Sequence, residues 1–197
     1  MSRRNPFKRS VDVPAAVLAA ASLAPGEKVL AATSTTDDRW LLGTRVALHV
    51  VPSPKPSPVS EQSGDAVAQP PSVVTPVETR IPWESVERAD WDRDEEQLVV
   101  TEVGEFGRVR PRHVFPVSEP GLLLELVRER VTASVVLQRR IFTDGTRGLL
   151  VIGRRPPTGE GEVIWAYQFD AGVDPDDPAV VAAAEEGLRA AQADLGL

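Results

Sequence analysis

The chain has 197 residues, a formal net charge of −7 at pH 7 and no cysteine. The negative charge argues against nucleic-acid binding, which needs a basic surface to displace counterions. The absence of cysteine excludes disulfides, thiolate catalysis and thiolate metal ligands, and it fits a reducing cytoplasm.

The N-terminal region pairs a basic tail with a short Ala-rich segment. The basic residues of the tail are Arg3, Arg4, Lys8 and Arg9. Basic residues ahead of an apolar segment are also typical of a secretory leader. Because Asp12 and Pro14 interrupt the start of this segment, the sequence favours a short helix over residues 13–22. We therefore expect a cytoplasmic protein, with export as the alternative.

Short strand-like runs follow, with turn residues between them. They span residues 27–35, 39–42, 46–51, 79–83, 86–91, 97–103 and 109–117. This rhythm is typical of a small, bent antiparallel sheet. Pro111 predicts an edge position for the last of these strands, because proline cannot donate to a sheet ladder. The proline-rich residues 52–77 predict a disordered loop inserted within one domain.

A helix, a second group of strands and another helix complete the chain. Apolar residues at helical spacing are Leu122, Leu123, Leu126, Val127 and Val131. They predict a helix over residues 119–132 that Ser118 caps. Further strands are predicted over residues 134–142, 148–154 and 162–169. A terminal helix opens at Asp177-Pro178, and its expected buried residues are Val181, Ala184, Leu188, Ala191 and Leu195.

Together these elements predict an α+β fold in three parts. Residues 1–26 form the basic tail and the short helix. Residues 27–132 form a bent antiparallel sheet closed by a helix. Residues 133–197 form a three-stranded meander with a C-terminal helix, a β-β-β-α subdomain packed on the first sheet.

Three stretches resemble the pleckstrin-homology and GRAM-like superfamily. They are LLGTRVALHVV, IPWESVERAD and SEPGLLLELVRERV. They stand where members of that group have an Arg-centred strand, an I-P-x-x-x-I/V segment and a closing helix. The resemblance covers residues 27–131 and implies a pleckstrin-like sheet and a binding role. The whole chain also resembles uncharacterised conserved proteins of actinobacterial type.

Two groups of arginines are candidates for contact with an anion or an acidic partner. The first group is Arg108, Arg110 and Arg112, along one strand face, and the second includes Arg139 and Arg140. Guanidinium groups bind carboxylates and phosphates through paired hydrogen bonds. Nearby carboxylates offer the alternative interpretation, in which the arginines are neutralised locally.

Neither the acidic residues nor the histidines match a catalytic or metal-binding motif. Three aspartates at alternate positions of residues 90–96 imitate the start of a calcium loop. Glu95 stands where that loop needs glycine, and Thr101 where it needs a bidentate glutamate. We interpret residues 90–96 as the solvated turn of a hairpin. His49 and His113 lack a motif partner, so we predict no catalytic residue, metal site or cofactor.

The sequence favours a non-enzymatic protein-binding or scaffold module of a bacterial cytoplasm. We expect another protein as its partner, bound at an open sheet edge or in the groove beside a helix. A first alternative is peripheral membrane association, in which the basic tail contacts an anionic surface. A second alternative is an enzyme that uses the carboxylates of residues 90–96.

Overall fold

The computed structural model describes residues 12–53, 78–104 and 110–197. Its helices are α1 (Ala15–Ala20), α2 (Gly121–Ser134) and α3 (Pro178–Asp194). Its strands are β1 (Ala31–Ser34), β2 (Arg39–Gly43), β3 (Ala47–Pro52), β4 (Thr79–Pro82), β5 (Val86–Asp92), β6 (Gln97–Glu102), β7 (Arg112–Pro116), β8 (Val135–Asp144), β9 (Arg147–Arg154) and β10 (Ile164–Phe169). The predicted basic tail, the proline-rich loop beyond Ser53 and Arg108 lie outside the described residues.

The strands form three antiparallel sheets, which confirms the predicted α+β class. The strand orders are β1-β2-β3-β4, β5-β6-β7 and β10-β9-β8. In the second sheet β7 pairs with β6 and forms one edge, as Pro111 predicted. The carbonyl oxygen of Pro111 still accepts a hydrogen bond from the amide of Glu102 at 2.9 Å.

The first two sheets and α2 enclose one hydrophobic core. Alternation along β3 places Leu48 and Val50 in this core, together with Trp83 and Phe115. Trp83 lies in a 3-10 turn between β4 and β5, and its indole Nε1 donates to the carbonyl of Thr44 at 3.0 Å. The predicted helix after the second sheet therefore closes a core between the sheets.

Two details of α2 differ from the sequence prediction. Ser118 does not cap the helix, because the N-cap residue is Pro120 and no side chain bonds the first amides. Leu122 is 45% exposed, whereas Leu123 and Leu126 are buried. The buried stripe is narrower than predicted because Leu122 lies beside the edge strand β1, whereas Leu123 of the same turn enters the core.

The outer face of the first sheet carries a smaller apolar cluster beneath α1. The side chain of Val17 in α1 packs with Leu42 of β2 and Val51 of β3. Alternation along β3 also turns His49 towards this outer face, opposite to Leu48 and Val50. The N-terminal segment therefore covers a face that the sheet would otherwise expose.

The third sheet and α3 form the second unit. The buried stripe of α3 is Val180, Ala184, Gly187 and Ala191. Val181, which the periodicity placed in the core, is 37% exposed. Ala184 and Ala191 are buried as predicted. Gly187 lies close to the sheet, because a Cβ on Gly187 would come within 2.8 Å of the Ile141 side chain.

Arg154 joins the two units. It is buried at the end of β9 and donates from Nη1 to the hydroxyl of Ser134 at 2.9 Å, and from Nη2 to the carbonyl of Glu87 at 3.0 Å. Burial lowers the pKa of Arg154, and the nearby Glu87 carboxylate opposes this shift. Because β8 begins directly after Ser134, the last turn of α2 and this guanidinium together hold the second unit against β5.

Among the residues described here, no helix combines the length and the apolar character needed to cross a bilayer.

Candidate functional site

A groove runs along β1, the strand at one edge of the first sheet. Its volume is about 560 Å³. It is lined by Asp12, Ala31, Ala32, Thr33, Ser34, Thr35, Thr36, Trp40, Ser118, Glu119 and Leu122. We call this cavity the β1 groove, and it combines an open sheet edge with the start of a helix.

The pairing of β1 with β2 determines which backbone groups face the groove. The amide of Thr35 donates to the carbonyl of Arg39 at 2.8 Å, and Thr33 lies opposite Leu41. In an antiparallel ladder the intervening residues turn their N–H and C=O groups away from the partner strand. The backbone groups of Ala32 and Ser34 therefore point towards the groove.

One wall of the β1 groove is the first turn of α2. The hydroxyl of Thr33 donates to the carbonyl of Glu119 at 2.9 Å, which holds the start of α2 against β1. Leu122 presents an exposed apolar side chain from the same turn. This wall thus offers one carboxylate, that of Glu119, beside one aliphatic side chain.

The opposite wall comes from the N-terminal segment and β2. Asp12 precedes α1, and Trp40 of β2 packs partly against the Val17 cluster while also lining the groove. At the far end of β1, the amide of Thr36 donates to the carbonyl of Pro116 at 3.0 Å. This contact with the end of β7 limits the free edge to the residues before Thr36.

The acidic side chains of the β1 groove are Asp12 and Glu119, and its lining contains no basic side chain among the described residues. Both residues are exposed. The groove is therefore acidic at both walls, and the alanine, serine and threonine residues of β1 lie between them.

A second polar feature lies beneath the N-terminal segment. His49 is fully buried, and both of its ring nitrogens contact carboxylates. Nε2 lies 3.0 Å from Oε1 of Glu27, and Nδ1 lies 2.9 Å from Oε1 of Glu78. We call these three residues the His49 cluster. It joins β3 to the segment before β1 and to the residue before β4.

Both carboxylates of the His49 cluster are held in the ionised form. Burial raises the pKa of Glu27, but hydrogen bonds from Thr44, the amide of Ala24 and His49 lower it below its ordinary value. The pKa of Glu78 is lowered in the same way, against burial, by hydrogen bonds from Ser22 and His49. Because an imidazole donates from both nitrogens only when protonated, the arrangement suits a histidinium between two carboxylates.

The His49 cluster fixes the N-terminal segment on the outer face of the sheet. The amide of Ser22 donates to Glu78 at 2.8 Å and the amide of Ala24 donates to Glu27 at 2.9 Å. The same segment continues back through α1 to Asp12, which forms one wall of the β1 groove. The cluster therefore holds the segment that forms one wall of the groove, although none of its three residues lines the groove.

The structure disperses the predicted arginine sites over separate sheets. Arg110 forms an ion pair with Glu87 at 3.0 Å, and Arg112 lies exposed on β7. Arg139 pairs with Asp194 of α3. Arg140 pairs with Asp170 and also stacks over the ring of Phe142 at 5.3 Å. Arg110, Arg139 and Arg140 are therefore paired with nearby carboxylates, as in the alternative interpretation of these arginines.

The acidic run 90–96 forms the turn of the β5–β6 hairpin. Oδ1 of Asp92 accepts hydrogen bonds from the amides of Asp94 and Glu95, both at 3.1 Å, and Asp90 pairs with Arg88 at 2.5 Å. No group of three or more histidine or carboxylate side chains is arranged to hold a metal ion in residues 12–53, 78–104 and 110–197.

The second histidine occupies a different environment from the first. Nε2 of His113 lies 2.6 Å from Oε1 of Glu102 on the neighbouring strand β6. Its ring lies parallel to that of Phe115, with 6.1 Å between the centroids. His113 is therefore a half-buried strand residue, as its alternation with Phe115 predicted.

Sequence reasoning did not predict the His49 cluster or the position of β1 at the edge of its sheet. A histidine inside the apolar run of β3 is a signal that a polar partner must be supplied, because buried polar groups are hydrogen-bonded. Its partners, Glu27 and Glu78, are 22 and 29 residues away in the chain. That separation hides them from any local pattern, and the free edge of β1 is likewise a property of the assembled sheet.

Comparison of the chain with protein-family models, with curated proteins and with solved structures gives no significant match.

Proposed function

We propose that this chain is a non-enzymatic protein-binding module that takes an extended segment of a partner protein along β1. The observation that supports this proposal is the β1 groove. There the edge of β1, which has no further strand partner among the described residues, lies between two walls that each include an apolar side chain. An added strand obtains affinity from backbone hydrogen bonds and specificity from its alternate side chains.

The surroundings of the histidines favour a binding role over catalysis. Both nitrogens of the fully buried His49 are engaged by carboxylates, away from the groove lining. His113 is held by Glu102 of the neighbouring strand within the second sheet. A histidine that acts as a general base must reach the proton it removes from a substrate. We place the module in the cytoplasm, in keeping with a chain without cysteine.

The β1 groove is larger than the cavity of about 400 Å³ beside the edge strand β8, and it is also favoured over a cavity beside the edge strand β10. That cavity lies between β10 and α3 and has a volume of about 120 Å³. Tyr167, Phe169 and Val181 contribute to its lining. Its volume leaves room for a side chain, whereas that of the β1 groove leaves room for several residues of an extended chain.

A proline substitution on β1 tests the proposal directly. Ser34→Pro removes one outward-facing N–H, and proline is tolerated on edge strands. Ser34→Ala is the matched control, since it keeps the N–H and removes the hydroxyl. Tagged forms of the full chain would be used for affinity capture from the host, followed by measurement of Kd with the purified partner.

We expect a partner that binds the unaltered chain and Ser34→Ala with equal Kd, and that binds Ser34→Pro at least about tenfold more weakly. Loss of one backbone hydrogen bond, of about 1 kcal/mol, and steric exclusion by the ring both contribute. Equal melting temperatures of the three proteins would show that the fold is intact. Equal binding by Ser34→Pro would contradict strand addition at β1.

A further inference from the structure

The chemistry of the β1 groove also specifies what kind of segment it can accept, and this inference rests on the proposed function. A strand that adds to β1 continues the first sheet, so its side chains alternate between the two faces of that sheet. Side chains on one face meet the wall of Glu119 and Leu122. Side chains on the other face meet the wall of Asp12 and Trp40.

Each wall therefore presents one carboxylate and one apolar side chain to an incoming strand. One carboxylate and one apolar side chain stand on the α2 side, and one carboxylate and one indole stand on the α1 side. Among the described residues of the chain, the lining includes no basic side chain that would neutralise these carboxylates. The formal net charge of −7 adds a long-range field of the same sign.

We propose that the β1 groove binds an extended basic peptide segment of another protein, with lysine or arginine at positions facing both walls and apolar residues between them. Basic side chains pair with Glu119 on one face and with Asp12 on the other. Apolar side chains contact Leu122 and Trp40. An acidic or phosphorylated segment is disfavoured, because like charges placed together in an interface lower affinity.

The N-terminal tail of the chain has a similar composition. Residues 1–11 carry four basic side chains and Phe7, and they precede Asp12 directly. This segment is therefore a competing occupant that any test must separate from a partner. A chain that lacks residues 1–11 provides that separation, because it keeps every described residue of the groove.

The test is selection of short random peptides displayed on phage against the full chain, followed by Kd measurement with synthetic peptides. We expect the selected peptides to be basic at alternate positions and to bind more weakly as salt rises. The double variant Asp12→Asn, Glu119→Gln should weaken binding about five- to tenfold, the range expected for two exposed ion pairs. The variant Asp94→Asn, Glu95→Gln is the control, since it makes the same charge change on the β5–β6 turn.

The outcomes distinguish this inference from the proposed function. If selected peptides are neutral or acidic, and Ser34→Pro abolishes their binding while the double variant does not, the groove binds strands but the basic specificity is wrong. If the selection yields no peptide that Ser34→Pro affects, both proposals fail. If basic peptides bind only the chain that lacks residues 1–11, the groove is occupied by the chain's own tail, which overturns the partner peptide.

Discussion

The two units of the molecule bury different side chains. The first unit, from β1 to β7, is closed by α2, and the second unit, from β8 to β10, is closed by α3. The first unit encloses His49 and Thr44 together with the carboxylates that contact them. The second unit has an apolar interior, formed by residues such as Leu149, Val151 and Ala184. The first unit therefore combines a hydrophobic core with a buried polar cluster, whereas the second relies on close apolar packing between α3 and its sheet.

The close packing of the second unit is most evident at Gly148 in β9. A Cβ at this position would lie 1.9 Å from the carbonyl oxygen of Ile141 on β8. In the first unit the corresponding close approach is at Gly43, where a Cβ would meet the end of the Leu126 side chain at 2.6 Å. A flexible side chain can move aside, but a strand backbone cannot do so without loss of pairing.

Replacement of His49 by leucine should have the largest effect. The change leaves the largely buried carboxylates of Glu27 and Glu78 without the ring nitrogens that contact them, which costs about 3–5 kcal/mol, the range for removing one partner of a buried pair. His113→Leu is the control, and it should cost less because His113 and Glu102 are both partly exposed. Urea unfolding of both variants provides the measurement. Equal losses of stability would show that the burial of His49 does not matter.

Gly148→Ala should destabilise the protein by about 2–3 kcal/mol, the upper range for overpacking. The methyl group must displace the Ile141 carbonyl, and the β8–β9 ladder must shift with it. Thr146→Ala in the same hairpin is a control that leaves the contact untouched. The free energy of unfolding from urea titration is the measurement. A Gly148→Ala variant as stable as the control would contradict the close-packing description of the second unit.

Acid should destabilise the first unit through the two glutamates of the His49 cluster. The pKa values of Glu27 and Glu78 lie below their ordinary value of 4.5 in the folded chain. Their stabilisation is fully present above about pH 4.5 and is lost as the pH falls through the folded pKa values. We expect a loss of about 1.5–3 kcal/mol, the range for hydrogen bonds to charged groups.

Hydrogen exchange of residues 22–27 between pH 7 and pH 3 would locate this loss, after correction for the intrinsic rate. The double variant Glu27→Gln, Glu78→Gln should show a flatter pH dependence, because it has no charge to lose at these positions. Glu160→Gln, an exposed change in the second unit, serves as the control. A steep acid dependence that persists in the double variant would assign the effect to other carboxylates.

The smallest effect on stability is expected for Leu122→Ser. Because this side chain is already largely exposed, the free energy of unfolding should change by no more than about 0.5 kcal/mol. Phe142→Ser, at an exposed position of the second unit, should be similarly neutral. The two variants should differ in binding: basic peptides selected on the β1 groove should lose affinity for Leu122→Ser and keep it for Phe142→Ser. Equal affinities would remove Leu122 from the binding surface.

Much of the fold follows from local patterns in the chain. Strand alternation and turn residues place each predicted strand close to an observed one, since period-two burial is a local property of a half-buried sheet. The edge position of β7 follows from Pro111 in the same way. Errors occur where a helix face depends on a neighbour. Leu122 is exposed because it lies beside the edge strand β1, and Val181 is exposed although the spacing of α3 placed it in the core.

The candidate site was less accessible to sequence reasoning than the fold. The arginine clusters were visible as charge patterns, but the carboxylates that pair with Arg139 and Arg140 lie 55 and 30 residues away. The sequence by itself determined the elements, their order and the α+β class, because those depend on neighbouring residues. Only the tertiary structure decided which edge stays open and which carboxylates enclose His49, because both depend on contacts between segments that are remote in the chain.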